Sequence, residues 1–308
     1  VEAKKCKLVT IIVFYNAYQD CIELLSDLSE SISENHKVVI VDNKSNEAEI
    51  NKLKKSVDNP NIYLSFNTGN NGYGSGINFG FNYAKAFNPE IIQVLNADTR
   101  VWEQNYISEI LKQFEIVDDA GIIAPAVRYT DGSIQNTIMP FVTLFGSIFF
   151  KKTTQSKSFV SREPLLTEAE VLNGVCLFIR SSVFKKISGF DEDFFMYGEE
   201  HDLCHRVYKS KFRCYFYPIM SLVHKEAYKT KNETIDWRFL LVRANQVQFL
   251  YKNRKYVQGA ILSIMFSTRL VLARLFKQRD FDIKVAILAV LKPKWYNGYL
   301  KRKKNTST

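Results

Sequence analysis

Three short apolar runs set the terms for this fold: LVTIIVFY at 8–15, KVVIV at 37–41 and IIQVL at 91–95. Each is strand-length, rich in β-branched residues and mostly apolar, with Thr10, Lys37 and Gln93 the polar exceptions. A strand with no polar face must be covered on both sides, which is the setting of a parallel sheet with helical crossovers. The intervening segments supply those crossovers. Residues 20–33 place Cys21, Ile22, Leu24, Leu25, Leu28 and Ile32 at helical spacing, 47–57 read as a polar helix, 62–65 as a short strand, and 76–87 as a helix entered through a glycine-rich turn. The predicted fold class is therefore α/β. In such sheets ligands gather at the carboxyl ends of the strands, and those ends carry Tyr15 with Asn16, Asp42 with Asn43, and Asn96, Ala97 and Asp98.

The second half changes character. Residues 122–124 and 171–179 read as strands, 181–186 and 199–210 as helices, and 213–217 and 221–223 as two further strands around Pro218, the last ending at His224. A mixed, mainly parallel sheet flanked by helices follows. With 308 residues the chain can bury one large core. The expected domain is 1–235, in two halves over about 1–120 and about 121–235, followed by a basic helical extension over 236–308. Charge marks that division. The formal net charge is +10, yet residues 251–308 alone carry +12, so the remainder is close to neutral. Five cysteines without a CxxC pair suit free thiols, and the first apolar run lacks a cleavage pattern. The expected location is cytoplasmic, and Asn232 and Asn305, though they match N-x-S/T, are then not glycan sites.

Four segments carry chemistry. NNGYGSGINFG (70–80) holds Gly72, Gly74, Gly76 and Gly80 but breaks the G-x-G-x-x-G dinucleotide pattern at Ile77 and Phe79; a plain tight turn and a ligand loop both remain open. LNADTR (95–100) sets Asn96 and Asp98 one residue apart, a spacing at which two oxygen ligands can hold a divalent cation, and an Asx turn explains the same pattern. His224 closes a strand and offers an imidazole. His201 and His205 share a helix face but lack the H-E-x-x-H order of a zinc helix. Finally, DEDFFMYGEEHDL (191–203) packs six carboxylates among Phe194, Phe195 and Tyr197, which costs stability unless function offsets it.

In this order the segments resemble the family 2 glycosyltransferases of GT-A fold, especially the bacterial branch with rhamnosyl- and galactofuranosyltransferases. TIIVFYN (10–16) is similar to that branch's opening strand and VVIVDNKSNE (38–47) to its nucleotide-binding strand. NNGYGSGINFG is similar to its N-x-G-F-x-x-G-x-N-x-G loop, and LNADT stands where the family has L-N-P-D-T or D-x-D. Residues 173–218 with Val223 and His224 match its acceptor-side block, and the resemblance covers about residues 8–250.

The resemblance implies a hexosyltransferase that moves sugar from a dTDP- or UDP-linked donor, dTDP-L-rhamnose first, to a glycan or lipid-linked glycan acceptor with inversion. It implies a general base at Glu200, where the family usually has Asp, with Glu199 and Asp202 beside it. Asp98 and His224, with Asn96 in place of the first acid, would hold Mn²⁺ or Mg²⁺. Asp42 would meet the base, and Tyr15, Asn16, Asn43, Asn70, Gly72, Gly76 and Ala97 would line the donor side. For the extension, Tyr256–Phe276 is apolar but interrupted by Gln258, Arg269 and Arg274. Packing on the catalytic body, a homo-oligomer contact, and peripheral attachment at the inner face of the membrane through basic residues such as Lys277, Arg279 and KRKK (301–304) stay open. A nucleic-acid partner is not expected, because the positive charge sits at one end and no recognition motif accompanies it. A catalytically silent relative is the rival from another class.

Overall fold

The computed structural model describes residues 6–149, 166–225, 237–276 and 282–306. The three apolar runs form β1 (Leu8–Phe14), β2 (His36–Asp42) and β4 (Ile91–Asn96), with β3 (Ile62–Phe66) at the edge; β1, β2, β3 and β4 pair parallel in the order β3-β2-β1-β4. The crossovers are α1 (Tyr18–Leu28), α2 (Glu47–Ser56) and α3 (Tyr73–Ala84). Beyond β4 the sheet continues through β10 (Cys176–Arg180), antiparallel to β4 and to β6 (Ala120–Arg128), then β11 (Arg213–His224), parallel to β6. Short β5 (Thr99–Arg100) and β8 (Thr167–Ala169) pair antiparallel with β11, and β7 (Ile138–Met139) pairs with β9 (Val171–Leu172) in a separate ribbon. Helices α4 (Tyr106–Ile116), α5 (Leu144–Phe149), α6 (Ser181–Lys186) and α7 (Glu199–Lys209) complete the body. The mixed, mainly parallel sheet expected from the sequence is the one found.

Several boundaries differ for local reasons. The first helix stops at Leu28 rather than 33, where Ser29 and Ser31 hydroxyls donate to the carbonyls of Ser26 and Leu28 and close the last turn. Helix α3 begins at Tyr73, three residues early, because Gly72 at φ +105° turns the chain and its carbonyl accepts Gly76 N–H. The strand expected over 171–179 is two, split where Asn173 Oδ1 accepts Val175 N–H and turns the backbone. Conversely, the two strands expected around Pro218 are one strand, β11, with a register shift between Tyr217 and Ser221 that absorbs the proline.

One buried cluster fills each face of the sheet. A third joins Val142 and Phe195 to α8 (Trp237–Lys252), α9 (Tyr256–Leu275), α10 (Ile283–Leu291) and α11 (Pro293–Thr306). The basic helical extension is thus present and packed on the body through Phe195. Asn232, Lys277 and Arg279, and the division at 235/236, lie outside the described residues. All five cysteines are buried and unpaired.

Candidate active site

Sheet register builds the first corner. Strand β4 ends at Asn96, and β5 pairs with the last residues of β11 so that His224 lies opposite Thr99, while Lys225 N–H donates to Asp98 O. This brings His224 Nε2 to 3.2 Å from Asp98 Oδ1 and 3.5 Å from Asn96 Nδ2. On its other side His224 Nδ1 lies 3.2 Å from Gln135 Oε1. With Nδ1–H donated to that amide, Nε2 turns its lone pair toward the Asp98 and Asn96 corner, the orientation of a metal-ligating imidazole. Asn96 Oδ1 is buried in the same corner with no hydrogen-bond partner among the described residues. A separation near 3.2 Å also suits neighbouring ligands of one octahedral cation with bonds of about 2.1 Å. The donor set is therefore one carboxylate, one imidazole and one orphaned amide oxygen. Among the described residues no three His, Cys, Asp or Glu side chains gather, so a cation here needs further oxygens from its ligand.

The second corner is the start of α7. Tyr197 (φ +63°) and Gly198 (φ +111°) are both left-handed, and this kinked turn sets the direction in which α7 starts. Glu200 Oε2 accepts Gly198 N–H at 2.9 Å, and Glu200 Oε1 lies 3.5 Å from His201 Nδ1. Burial pushes the Glu200 carboxyl upward, but His201 and the helix N–H groups outweigh it and hold it below the usual range. Glu199 is the opposite case: burial first, then the charge of Glu200, raises it well above the usual range, and its Oε2 has no partner among the described residues. The two carboxyls are pushed in opposite directions, Glu199 up and Glu200 down. Asp202, by contrast, accepts from Arg206 Nε at 2.6 Å and Lys252 Nζ at 3.0 Å, and Lys252 also pairs with Asp191. Its neighbours make it a tie between α7 and α8.

Tyr73 joins the two corners. Its hydroxyl donates to Gly174 O at 3.2 Å, and its phenol is raised well above its ordinary value by burial and by the charges of Glu199, Asp98 and Glu200 among others. Only groups within electrostatic reach of both corners respond this way. Gly174 stands beside Glu200, since a Cβ on it would lie 3.9 Å from Glu200 Cβ.

The glycine-rich loop is a framework. A Cβ on Gly72 would sit 2.1 Å from Phe195 O, and one on Gly76 would touch Val13 and Asn43. Tyr73 N–H donates to Phe195 O, Asn43 Nδ2 to Gly72 O, and Gly72 N–H to Asn70 Oδ1. Asp42 is buried and accepts Ser45 N–H, and Asn16 Oδ1 accepts from Asn46. Tyr15 lies under Lys304, whose Nζ is 5.9 Å from the ring centroid, and Ala97 is buried in the turn from β4 to β5. His201 and His205 form no metal site: His201 faces Glu200, while His205 packs against Phe141 and Phe249, and burial followed by the positive charges of Lys209, Lys255 and Arg206 lowers it to about 4.

The sequence did not point to three amides that hold this site. Asn297 Oδ1 accepts the buried Phe195 N–H at 2.6 Å, and its Nδ2 donates to Asn245 Oδ1 and Gln248 Oε1. Asn245 Nδ2 in turn donates to Met196 O and Tyr197 O. Helices α8 and α11 thereby grip the turn that aims Glu199 and Glu200. Asn305 accepts Asn70 N–H at 2.8 Å and donates to Asn70 O.

Comparison with known proteins agrees with this architecture. The family model described as "Glycosyl transferase family 2" matches residues 9–187. The chain belongs to glycosyl transferase family 2. Among curated members of the family it is similar to the low-salt glycan biosynthesis hexosyltransferase Agl10 of Haloferax volcanii, 28% identical over 92% of this chain and 90% of the relative. It is also similar to the N-acetylglucosaminyl-diphospho-decaprenol L-rhamnosyltransferase of Mycobacterium tuberculosis, 26% identical over 72% of this chain and 77% of the relative. The fold is shared with a mannosyltransferase of Pyrobaculum calidifontis solved with GDP-Man and Mn²⁺, at TM-score 0.58 and 16% identity, covering 97% of this chain and 87% of that one. S. aureus TarS 1–349, solved with UDP-GlcNAc, gives TM-score 0.57 at 13% identity, covering 94% and 81%. The chain is a family 2 glycosyltransferase of GT-A type.

Proposed function

We propose that this glycosyltransferase transfers a sugar, L-rhamnose from dTDP-L-rhamnose as the first choice, to a glycan or lipid-linked glycan acceptor in surface polysaccharide synthesis, with inversion. The observation that supports the reading is the corner of Asp98, His224 and the unpartnered Asn96 oxygen, together with the Tyr73 phenol, which Glu199, Asp98 and Glu200 all act on. The rhamnosyltransferase among the relatives favours the donor; the hexosyltransferase, which covers more of the chain, favours a UDP-hexose or UDP-galactofuranose donor as the second reading.

In the mechanism, Glu200 takes the proton of an acceptor hydroxyl as its oxygen bonds to the anomeric carbon. The bond from that carbon to the donor diphosphate breaks on the opposite face, so configuration inverts and a nucleoside diphosphate leaves. Asp98 and His224, with the Asn96 oxygen, would hold Mn²⁺ or Mg²⁺, which supplies charge stabilisation for the departing diphosphate. Asp42, Asn43 and the loop from Asn70 to Gly76 would shape the nucleotide side, with Tyr15, Asn16 and Ala97 beside them. Glu199, being neutral, can donate a hydrogen bond to substrate without opposing the charge on Glu200.

The test is thermal stabilisation by dTDP, UDP, GDP and CDP with and without Mn²⁺, followed by transfer assays with the preferred donor. The expected result is metal-dependent stabilisation by dTDP that Asp98→Ala removes, together with transfer that Glu200→Gln lowers by about 100- to 10,000-fold while nucleotide stabilisation persists. A UDP response selects the second donor reading. No response to any nucleotide overturns the proposal.

A further inference from the structure

Helix α9 (Tyr256–Leu275) is long and apolar enough to cross a membrane by length and composition, yet 28% of its apolar window is buried. The buried part is one face: Gly259, Leu262, Ser263, Phe266 and Leu270 pack on the other C-terminal helices. The opposite face is apolar and open. Val257, Ile264 and Leu275 are 74%, 64% and 70% exposed, with Ile261 and Leu272 between them in the same stripe. At about 100° and 1.5 Å per residue these positions fall on one line about 27 Å long. Thr268 is the one exposed polar residue in this line, and its hydroxyl donates to Ile264 O; an exposed stripe otherwise so apolar is uncommon on a surface that faces only water.

Its borders are basic. On the same helical geometry the exposed Arg269 and Arg274 stand roughly 110° to either side of the stripe's midline, on the two shoulders between open and buried faces. Arg243 of α8 stands beside Arg269. Its guanidinium lies over Phe239 and Phe266 and donates to Gln246 Oε1 at 3.1 Å, and neither Arg243 nor Arg269 has a carboxylate partner among the described residues. Burial, then the charge of Arg269, lowers Arg243 below its ordinary value, so the two cations are uncompensated neighbours. Helices α8 and α9 contain no acidic residue.

We infer that the open face of α9 seats this protein on an anionic lipid bilayer, its apolar stripe entering the interface and Arg269, Arg274 and Arg243 meeting headgroup phosphates. A second copy of the chain would meet the same arginines with its own and is disfavoured by like charge, whereas an anionic surface complements both the stripe and its borders. The helix lies along the surface and does not span it, because its other face is committed to the protein. The inference deepens the lipid-linked acceptor reading above, but vesicle binding is measured without donor or acceptor, so failure of either is seen separately.

The experiment is flotation of the full chain with vesicles of phosphatidylcholine alone or mixed with phosphatidylglycerol. The expected result is co-flotation with the mixed vesicles only, about fivefold weaker for each of Arg269→Gln and Arg274→Gln, and lost in Ile264→Glu/Leu272→Glu, whose exposed positions leave the core intact; circular dichroism verifies folding. Flotation that the double variant does not alter overturns the inference, as does no binding to mixed vesicles. Concentration-dependent dimerisation abolished by the same variant also overturns it, in favour of a second copy.

Discussion

Acid should unfold this enzyme through one residue far from its chemistry. His36 opens β2, the strand that ends in Asp42, and its ring is buried with Nε2 2.8 Å from Thr10 Oγ1 and Nδ1 3.1 Å from Ser31 O. Burial, only partly opposed by the Ser31 carbonyl, lowers its pKa from the ordinary 6.5 to about 4. The unfolded chain therefore binds one more proton than the native state between those values, and stability falls as pH drops through 6.5 toward 4. At about 1.4 kcal/mol per pH unit the full loss is about 3.4 kcal/mol, of which about 2 kcal/mol has gone by about pH 5. Urea unfolding of the wild type and His36→Gln at about pH 7.5 and about pH 5 isolates the term, since other titrating groups cancel between the two proteins. The wild type should lose about 2 kcal/mol more than the variant across that interval. A difference below about 0.5 kcal/mol would refute the claim that His36 is held neutral by burial.

Glu199→Gln should raise stability at neutral pH, because the raised carboxyl of Glu199 penalises the native state once pH exceeds its ordinary 4.5; its urea midpoint should gain progressively from about pH 4.5 upward, and no gain at about pH 7 would show that Glu199 is ionised. Gly72→Ala should cost at least about 2 kcal/mol, since φ is +105° and the new Cβ would meet Phe195 O at 2.1 Å; equilibrium unfolding measures it. Asn297→Ala should cost about 1–3 kcal/mol by stranding the buried Phe195 N–H, and should lower kcat more than donor affinity, because the turn before Glu199 loses its grip while the nucleotide side does not.

Legibility followed how local each signal was. Strands β1, β2 and β4 could be read because a doubly covered strand is mostly apolar, with Thr10, His36 and Gln93 buried only by bonding one another, and the polar residues closing the strands marked the site. The placing of His224 beside Asp98 depends on β5 pairing with β11, two residues against the end of a strand broken in sequence by Pro218, so the sequence supplied the residue without the geometry. Asp202 stands with Glu199 and Glu200 in sequence, yet one turn of helix carries it to Arg206 and Lys252. Gln135, Asn245 and Asn297 were not legible at all. A buried amide is indistinguishable in a sequence from an exposed one, and what makes these consequential is the partner each meets more than forty residues away: the His224 ring for Gln135, backbone groups for Asn245 and Asn297.

The contact of Asn305 with Asn70 has a dynamic consequence. A single side chain in the closing turn of α11 satisfies both backbone groups of Asn70, and Lys44 reaches back to the Asn305 carbonyl. Helix ends open at little free-energy cost compared with the core. Each time that turn unwinds, the glycine-rich loop loses its clamp, so the rate at which α11 frays sets an upper limit on how long the loop stays ordered. Hydrogen exchange at Asn70 should therefore report on a helix more than two hundred residues away in the chain.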